Sequence, residues 1–211
     1  MPLSSVTLLR MRKATPDLAS TSANGSVPKV DSKRNDLTHG DSRQAPTPAG
    51  AIARGLLAGA LGTAAMDVLL YERYRRDGGE STAGDWEFSA GLTSWDRAPA
   101  PARLGKRLVE GLFDIELSAS SAPIVNNVTH WAFGIVNGAQ YGIVAASLKR
   151  PRIGHGLLFG ATVWAAGYVV LPAAKLYKPI WEYDAKTLAK DLSAHLVYGL
   201  ATATAMRALS R

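Results

Sequence analysis

The chain has 211 residues, enough for a soluble domain with a full core, so length alone does not decide the class of protein. It contains no Cys, which excludes disulfides and thiolate chemistry, and it carries a net charge of +7. The basic residues lie in an N-terminal tail and at the ends of apolar runs, without a basic stripe interleaved with aromatics. Nucleic acid is therefore not an expected partner.

Residues 1–50 form a polar tail with 12 Ser or Thr, five Pro and seven Lys or Arg. This composition buries too little apolar surface to offset the entropy of ordering, so we expect a disordered segment. The apolar run 6–9 is too short for a signal peptide, and the basic residues follow it rather than precede it. The remainder, 51–211, is predicted to be one membrane domain.

Four apolar runs of 18 to 21 residues follow the tail. At about 1.5 Å per residue, each is long enough to cross a hydrocarbon core of about 30 Å. Long stretches within them carry no charge, whereas the helices of a soluble bundle would show a charged face at helical spacing. We therefore predict an all-α integral membrane protein, a bundle of four transmembrane helices at 52–71, 128–148, 154–174 and 192–209.

A polar segment, 72–127, separates the first two runs. Within it Leu104, Leu108 and Leu112 recur at helical spacing, with Phe113 beside them and basic residues flanking this face. The pattern predicts an amphipathic helix over about 102–117. That helix would lie on the membrane surface or pack against its own extramembrane loop.

Two short motifs occur twice, in the same order. Segments 55–60 and 156–161 agree at five of six positions, and His130 and His195 each open the pattern His-x-x-aromatic-Gly. These matches predict a duplicated helical hairpin, with the first and third spans running in one direction and the second and fourth in the other. The two halves would be parallel repeats, related by an axis along the membrane normal.

Basic residues gather where the spans end on one side of the predicted bundle. They are Arg54, the loop 149–152, Arg207 and Arg211. This excess predicts that this side faces the cytoplasm, together with both termini. The loop 175–191 carries Tyr, Trp and Lys, which suit the headgroup layer of the opposite side.

Small residues recur every four positions along the spans. Lipid provides no hydrophobic force between helices, so close contact between backbones matters more than in water. We expect these glycines at helix contacts, either within the bundle or between protomers of a homo-oligomer. They are Gly55, Gly59, Gly134, Gly138, Gly142, Gly156, Gly160 and Gly199.

Three ionisable residues, Asp67, His130 and His195, are expected at a similar depth near the outer end of the spans. An ionised Asp costs about 2.5–3.5 kcal/mol at the bilayer centre and less near the interface, so Asp67 should meet a partner, either a His or Tyr168. The cluster can act as a proton or cation relay, or as interhelical hydrogen bonds that fix the bundle.

Two amides, Asn137 and Gln140, lie deeper in the second span and are expected to hydrogen-bond across helices. An Asp with two His can also bind a divalent metal, but among Asp67, His130 and His195 no pair falls at i,i+3 or i,i+4 on one helix. We therefore predict no metal and no other cofactor.

Catalytic motifs are missing from the sequence. It has no His-Glu-x-x-His, no Gly-x-Ser-x-Gly elbow and no phosphate-binding Gly loop that ends in Lys-Ser or Lys-Thr. No catalytic residue is predicted, and an enzyme is the least favoured class.

Several short motifs occur within 125–209: Thr129-His130, Tyr141-Gly142, Gly156-Leu157-Leu158, Pro172, Trp181 with Glu182, and Gly199 shortly after His195. In these motifs the chain resembles the YagU-type family of small bacterial inner-membrane proteins. That family has no established biochemical activity and a loose link to acid tolerance. The resemblance implies a bacterial plasma-membrane setting, with His130 and His195 among the matching positions.

Three functions remain open from the sequence. The first is a non-enzymatic membrane protein with a structural or stress-tolerance role. The second is an oligomeric conductor of protons, ions or small solutes that uses Asp67, His130 and His195. The third is an accessory subunit of a larger membrane complex. The lipid bilayer is the expected partner in each.

Overall fold

The computed structural model describes residues 47–88 and 91–211, which contain six α-helices and no β-strand. The all-α class is confirmed for these residues. The disorder predicted for the tail concerns mainly residues 1–46, which lie outside the described residues. The helices are α1 (Pro48–Arg76), α2 (Ala83–Glu87), α3 (Ala100–Phe113), α4 (Ala122–Ser147), α5 (His155–Ala173) and α6 (Ala185–Leu209).

Two of the long helices begin before the predicted spans because polar residues cap them. The hydroxyl of Thr47 accepts a hydrogen bond from the Gly50 amide at 3.1 Å, so α1 already includes the last residues of the predicted tail. The carboxylate of Asp184 accepts from the Thr187 amide at 2.9 Å, and α6 starts seven residues before the predicted span 192–209. The apolar runs are thus the inner parts of longer helices.

Helix α3 ends four residues earlier than the predicted range 102–117. Asp114 adopts a left-handed φ of 53°, which stops the helix, and its amide still donates to the Glu110 carbonyl. The helix packs on α4 through a face of small residues, because a side chain at Gly105 would collide with Val125 and Thr129. Its apolar face stays exposed at Leu108, Leu112 and Phe113.

The four long helices pack side by side, with α1 between α4 and α6 and with α5 against α6. The end of α1 meets the start of α6, since the Arg73 guanidinium donates to the Lys190 carbonyl at 2.8 Å and to the Ser193 hydroxyl at 2.9 Å. Helices α1 and α5 therefore run in one direction and α4 and α6 in the other. These are the directions that the hairpin repeat predicts.

Glycines hold both helix pairs at close range. On α1, a Cβ added to Gly59 would lie 2.7 Å from the Gly134 carbonyl oxygen and 2.8 Å from the Gly138 Cα. On α5, a Cβ at Gly160 would meet the backbone of His195, and one at Gly156 would meet Gly199. Relative to the predicted repeat, the second contact is offset by one helical turn. The duplication itself remains a prediction.

Aromatic rings fill the space between the two pairs. The Phe159 ring of α5 lies 4.8 Å from the Tyr141 ring of α4 and 5.7 Å from the Tyr198 ring of α6, centroid to centroid. The Tyr198 hydroxyl donates to the Gly134 carbonyl at 2.7 Å, which joins α6 to α4 across the bundle. The middle of the bundle is therefore closed by side chains.

Two of the described helices, α1 and α5, are long and apolar enough to cross a membrane by their length and composition. Helices α4 and α6 are long enough, with 26 and 25 residues, but polar residues interrupt their apolar runs. Candidate spans are thus confirmed at two of the four predicted places.

The two ends of the bundle differ in charge. The basic end comprises the start of α1, the loop 148–154 and the end of α6, and its described residues include no Asp or Glu. The polar end comprises the segments 77–88, 91–121 and 174–184 with the adjoining helix ends. Four of the 17 acidic residues precede residue 47, and all the others lie at the polar end. The basic end holds Arg54, Lys149, Arg150, Arg152, Arg207 and Arg211.

Candidate functional site

Asp67 forms the centre of a polar site near the end of α1. The residue is only 7% exposed, and its Oδ1 lies 2.8 Å from the His130 Nε2 on α4. With the tautomer that carries the proton on Nε2, the imidazole donates to the carboxylate. The second oxygen, Oδ2, is buried and has no hydrogen-bond partner among the described residues. Asp67 thus meets a His, one of the two partners expected for it, and retains a free acceptor.

The glycine contact brings this pair together. Asp67 lies about two turns after Gly59 on α1, and His130 lies about two turns before Gly138 on the antiparallel α4. Because Gly59 and Gly138 touch through their backbones, the two side chains face each other across the narrow gap between the helices.

Glu87, at the end of α2, adds a second carboxylate. Its Oε1 accepts hydrogen bonds from the Asn127 amide at 2.7 Å and from the Trp131 indole at 2.5 Å. It also lies close enough to His130 for its charge to act on the imidazole. The sequence analysis did not identify Glu87, because it occurs in an irregular polar segment where no spacing distinguishes it from the other acids.

The three ionisable groups line a small cavity of about 230 Å³. Trp86 and Pro99 from the polar segment cover it, together with Asn126 and Asn127 of α4. The space is large enough for water or a small cation. No group of three metal ligands converges among the described residues. The arrangement is thus suited to exchanging a proton or holding a small monovalent cation. We call Asp67, His130 and Glu87 the Asp67 site.

His195 does not join this site. Its Nδ1 lies 3.0 Å from the Asp191 carbonyl oxygen and 3.3 Å from the Asp191 carboxylate, both on its own helix α6. The expected cluster of Asp67, His130 and His195 is therefore wrong as a single group. Asp191 lies one residue before the predicted span 192–209, and for that reason the sequence analysis left it out of the intramembrane residues.

Aromatic side chains surround Asp191. Tyr168 and Trp164 of α5 lie beside its carboxylate, so Tyr168 belongs to this second group and not to Asp67. Burial alone would raise the pKa of Asp191, but the hydrogen bond and charge of His195 outweigh it and hold the pKa below its usual value. Burial, with the nearby Asp191 charge, raises the pKa of Tyr177 to about 12.

The side-chain amides of Asn137 and Gln140 were expected to hydrogen-bond across helices, but the structure does not place them in such bonds. The Asn137 amide donates to the Phe133 carbonyl of its own helix at 2.9 Å, and Gln140 is exposed. Both point away from the glycine face through which α4 packs on α1, so neither belongs to the site. Within the bundle the predicted glycines do make helix contacts, including Gly55 with Gly138 and Gly142.

Family comparison covers the second half of this structure. Residues 109–204 match the DUF1440 family, described as a protein of unknown function. The match is consistent with the YagU-type resemblance, which rests on nearly the same residues. No curated protein and no solved structure matches the chain.

The DUF1440 match spans somewhat less than half of the chain and includes α4, α5 and most of α6. It contains His130 and the whole Asp191–His195 pair. Asp67 and Glu87 lie outside it, on α1 and α2. The Asp67 site is thus built from one residue within the DUF1440 segment and two that precede it.

Proposed function

We propose that this chain is a four-span protein of the bacterial plasma membrane, not an enzyme, that binds a proton or a small monovalent cation at the Asp67 site. The site would lie near the outer surface and the basic end in the cytoplasm. A group that changes charge with pH is in keeping with the stress-tolerance role that the YagU-type resemblance implies.

Exposed apolar side chains support placement in a membrane. Only 33% of the apolar window of α1 and 22% of that of α5 is buried inside the bundle, so neither resembles the core helix of a soluble protein. Leu61 is 56% exposed and Val68 70% on α1, while Leu158 and Val169 on α5 are both 71% exposed. Helix α4 likewise exposes Phe133, Val136, Ile143 and Val144. Such a belt is favourable in lipid and unfavourable in water.

The charge asymmetry supports the orientation. Six basic residues and no described acidic residue occupy the basic end, whereas the polar end mixes both signs. Short loops rich in Lys and Arg remain on the cytoplasmic side during insertion. The Asp67 site then opens toward the outer surface, where external pH acts on it directly.

A single observation carries the binding proposal: the carboxylate of Asp67 is buried, with one oxygen bonded to His130 and the other without a partner among the described residues. Burying an unpaired charged oxygen is costly, and bound protons, cations or waters remove that cost. Glu87 adds a second negative charge to the same cavity. Two carboxylates facing one imidazole favour an added positive charge.

The middle of the bundle favours binding over conduction. The runs 55–66, 131–148, 156–174 and 196–206 contain no Asp, Glu, Lys, Arg or His. Backbone contacts between glycines and the rings of Tyr141, Phe159 and Tyr198 fill the bundle between the Asp67 site and the basic end. A proton that reaches Asp67 therefore finds no Asp, Glu, Lys, Arg or His to pass to within these runs.

Tryptophan fluorescence offers a direct test, because Trp86 lines the cavity and Trp131 bonds Glu87. The full chain in lipid nanodiscs should show a fluorescence transition between about pH 5.5 and 7.5. Asp67→Asn should change it, since the variant replaces the carboxylate that faces the His130 imidazole at 2.8 Å with a neutral amide. Asp191→Asn, which alters the other carboxylate–His pair, is the matched control and should keep it. A transition that is identical in wild type and Asp67→Asn would refute the proposal.

A second measurement separates binding from transport. Proteoliposomes that contain the wild type should pass protons no faster than empty liposomes at about pH 5.5 and 7.5. A proton flux that disappears in Asp67→Asn would instead establish a conductor and replace the binding proposal.

A further inference from the structure

A second and larger cavity lies at the polar end, beside the Asp67 cavity, and Pro99 lines both. It has a volume of about 640 Å³ and lies between the start of α3 and the segment that follows α5. Arg103 of α3 and Lys175 and Lys178 of the segment line it, with the rings of Tyr177 and Tyr183. Its size is typical of a cavity that takes a small organic ligand.

The basic side chains of this cavity are available to a ligand. Among the described residues, no ion pair involves Lys175 or Lys178. The Arg103 guanidinium donates to the Leu176 carbonyl at 2.7 Å, while its Nε has no partner within the described part of the chain. The cavity is therefore lined by three cationic side chains, and among the described residues neither lysine is held in an ion pair.

Two acidic residues, Glu182 and Asp184, also line the cavity, so its charge is mixed. The carboxylate of Asp184 caps the start of α6, where it accepts hydrogen bonds from the amide and from the hydroxyl of Thr187 at 2.9 and 2.6 Å. A capping carboxylate keeps its charge, so the cavity carries three cationic side chains against two carboxylates. The balance favours an anion.

The position of the cavity points to the source of that anion. Lys175 comes two residues after the end of α5, one of the two described helices long and apolar enough to cross a membrane. In a membrane the cavity would therefore begin where the hydrocarbon core meets the headgroups. Trp181, next to Glu182 in the chain, is 80% exposed, and the far end of α3 exposes Leu112 at 74% and Phe113 at 67%. These apolar surfaces can contact the acyl chains of a lipid, whereas a free inorganic ion would make no favourable contact with them.

We infer that this cavity binds the phosphate of an anionic phospholipid, held by Arg103, Lys175 and Lys178. Tyr177 and Tyr183 would contact the polar part of the lipid, and the exposed face of α3 its acyl chains. The inference rests on the membrane placement given under the proposed function, but it does not depend on the Asp67 site.

The probe is dihexanoyl phosphatidylglycerol, titrated onto the delipidated full chain in an uncharged detergent, with bound lipid counted by native mass spectrometry. Dihexanoyl phosphatidylcholine and inorganic phosphate are the comparison ligands. We expect phosphatidylglycerol to bind at least about tenfold more tightly than either. Equal binding of phosphatidylcholine, or inorganic phosphate binding as tightly as the lipid, would overturn the inference.

The double variant Lys175→Asn/Lys178→Gln tests the residues, with Asn at position 175 because Lys175 has a left-handed φ of 56° that Asn tolerates. We expect affinity for phosphatidylglycerol to fall about tenfold or more, since each Lys near a membrane surface contributes substantially to anionic lipid binding. The control Lys149→Gln/Arg152→Gln removes the same charge at the basic end and should change affinity by less than about twofold. An equal loss in both variants would refute a specific site.

Folding and membrane placement are checked separately. If the double variant loses helical circular dichroism, Lys178→Gln alone decides the question, with an expected loss of about threefold to fivefold and no loss overturning the site. If the wild type is recovered soluble and monodisperse without detergent, the membrane placement fails. If it stays in the membrane fraction and the lysine variants bind phosphatidylglycerol normally, only the lipid site fails.

Discussion

The two antiparallel helix pairs, α1 with α4 and α5 with α6, are built alike. They differ in which helix supplies the carboxylate that faces the His. Each pair meets through glycines, and each carries a His at the polar end, within about one turn of a contact glycine. In the first pair the carboxylate comes from the other helix, as Asp67 facing His130. In the second it comes from the same helix, as Asp191 facing His195.

This difference determines what each pair can do. The bond between Asp67 and His130 joins α1 to α4, so it forms only while these two helices stay close together. The bond from Asp191 to His195 lies within one helix and is further fixed by the aromatic side chains of α5. The same short motif around His thus takes part in a contact between two helices in one place and in a contact within one helix in the other.

Disrupting the glycine contacts should have the largest effect. Valine at Gly138 would press against the backbone of Gly55 and Gly59, and valine at Gly199 against Gly156 and Gly160. The atoms on both sides of each contact are backbone atoms, which cannot move aside as a flexible side chain could. Each variant should therefore lose about 3 kcal/mol or more of stability, measured by thermal unfolding in detergent. Gly167→Ala on α5 meets no atom within 4 Å and should be neutral or slightly stabilising. Full stability of Gly138→Val would show that the helices do not touch here.

Removing each acid should have an intermediate effect and sharpen the comparison. Asp67→Ala breaks the only hydrogen bond that the structure places between Asp67 and His130, and should cost about 1–2 kcal/mol. Asp191→Ala should cost less stability, because the hydrogen bond between the His195 Nδ1 and the Asp191 backbone carbonyl at 3.0 Å remains in the variant. Chemical denaturation of both variants against wild type measures the difference. A larger cost for Asp191→Ala would reverse the roles assigned to the two pairs.

The smallest expected effect is a loss of stability at acidic pH. The pKa of Asp191 is lower in the folded chain than in the unfolded chain. The stability that the ionised Asp191 contributes is therefore fully present above the ordinary carboxyl pKa of about 4, and it is lost as the pH falls through the lower pKa of the folded chain. The melting temperature of the wild type should drop in this range. Asp191→Asn should show a shallower drop, whereas an identical drop would assign the acid sensitivity to other carboxylates.

The sequence predicted the helices better than it predicted their polar contacts. Long uncharged runs located all four helices of the bundle, because lipid and protein interiors both exclude charge there. Helix ends were less well predicted, since Thr47 and Asp184 extend helices that hydropathy alone cuts short. The early end of α3 at Asp114 follows from one left-handed residue that no periodicity marks.

The site was predicted in part. The contact between Asp67 and a His follows from the cost of burying an acid, and the structure supplies His130. The place of His195 could not be predicted, because the nearest acid to it lay just outside the hydropathy window. Glu87 could not be predicted either, since only the folded polar segment brings it to α4.

The central place of α1 has a consequence for biogenesis. This helix contacts both α4 and α6, yet it leaves the ribosome first, and the 45 residues of 77–121 separate it from α4. During synthesis Asp67 must therefore remain without His130 until the next long helix has been made. Helix α5, which packs chiefly on α6, can join the assembly only once the C-terminal helix has been made.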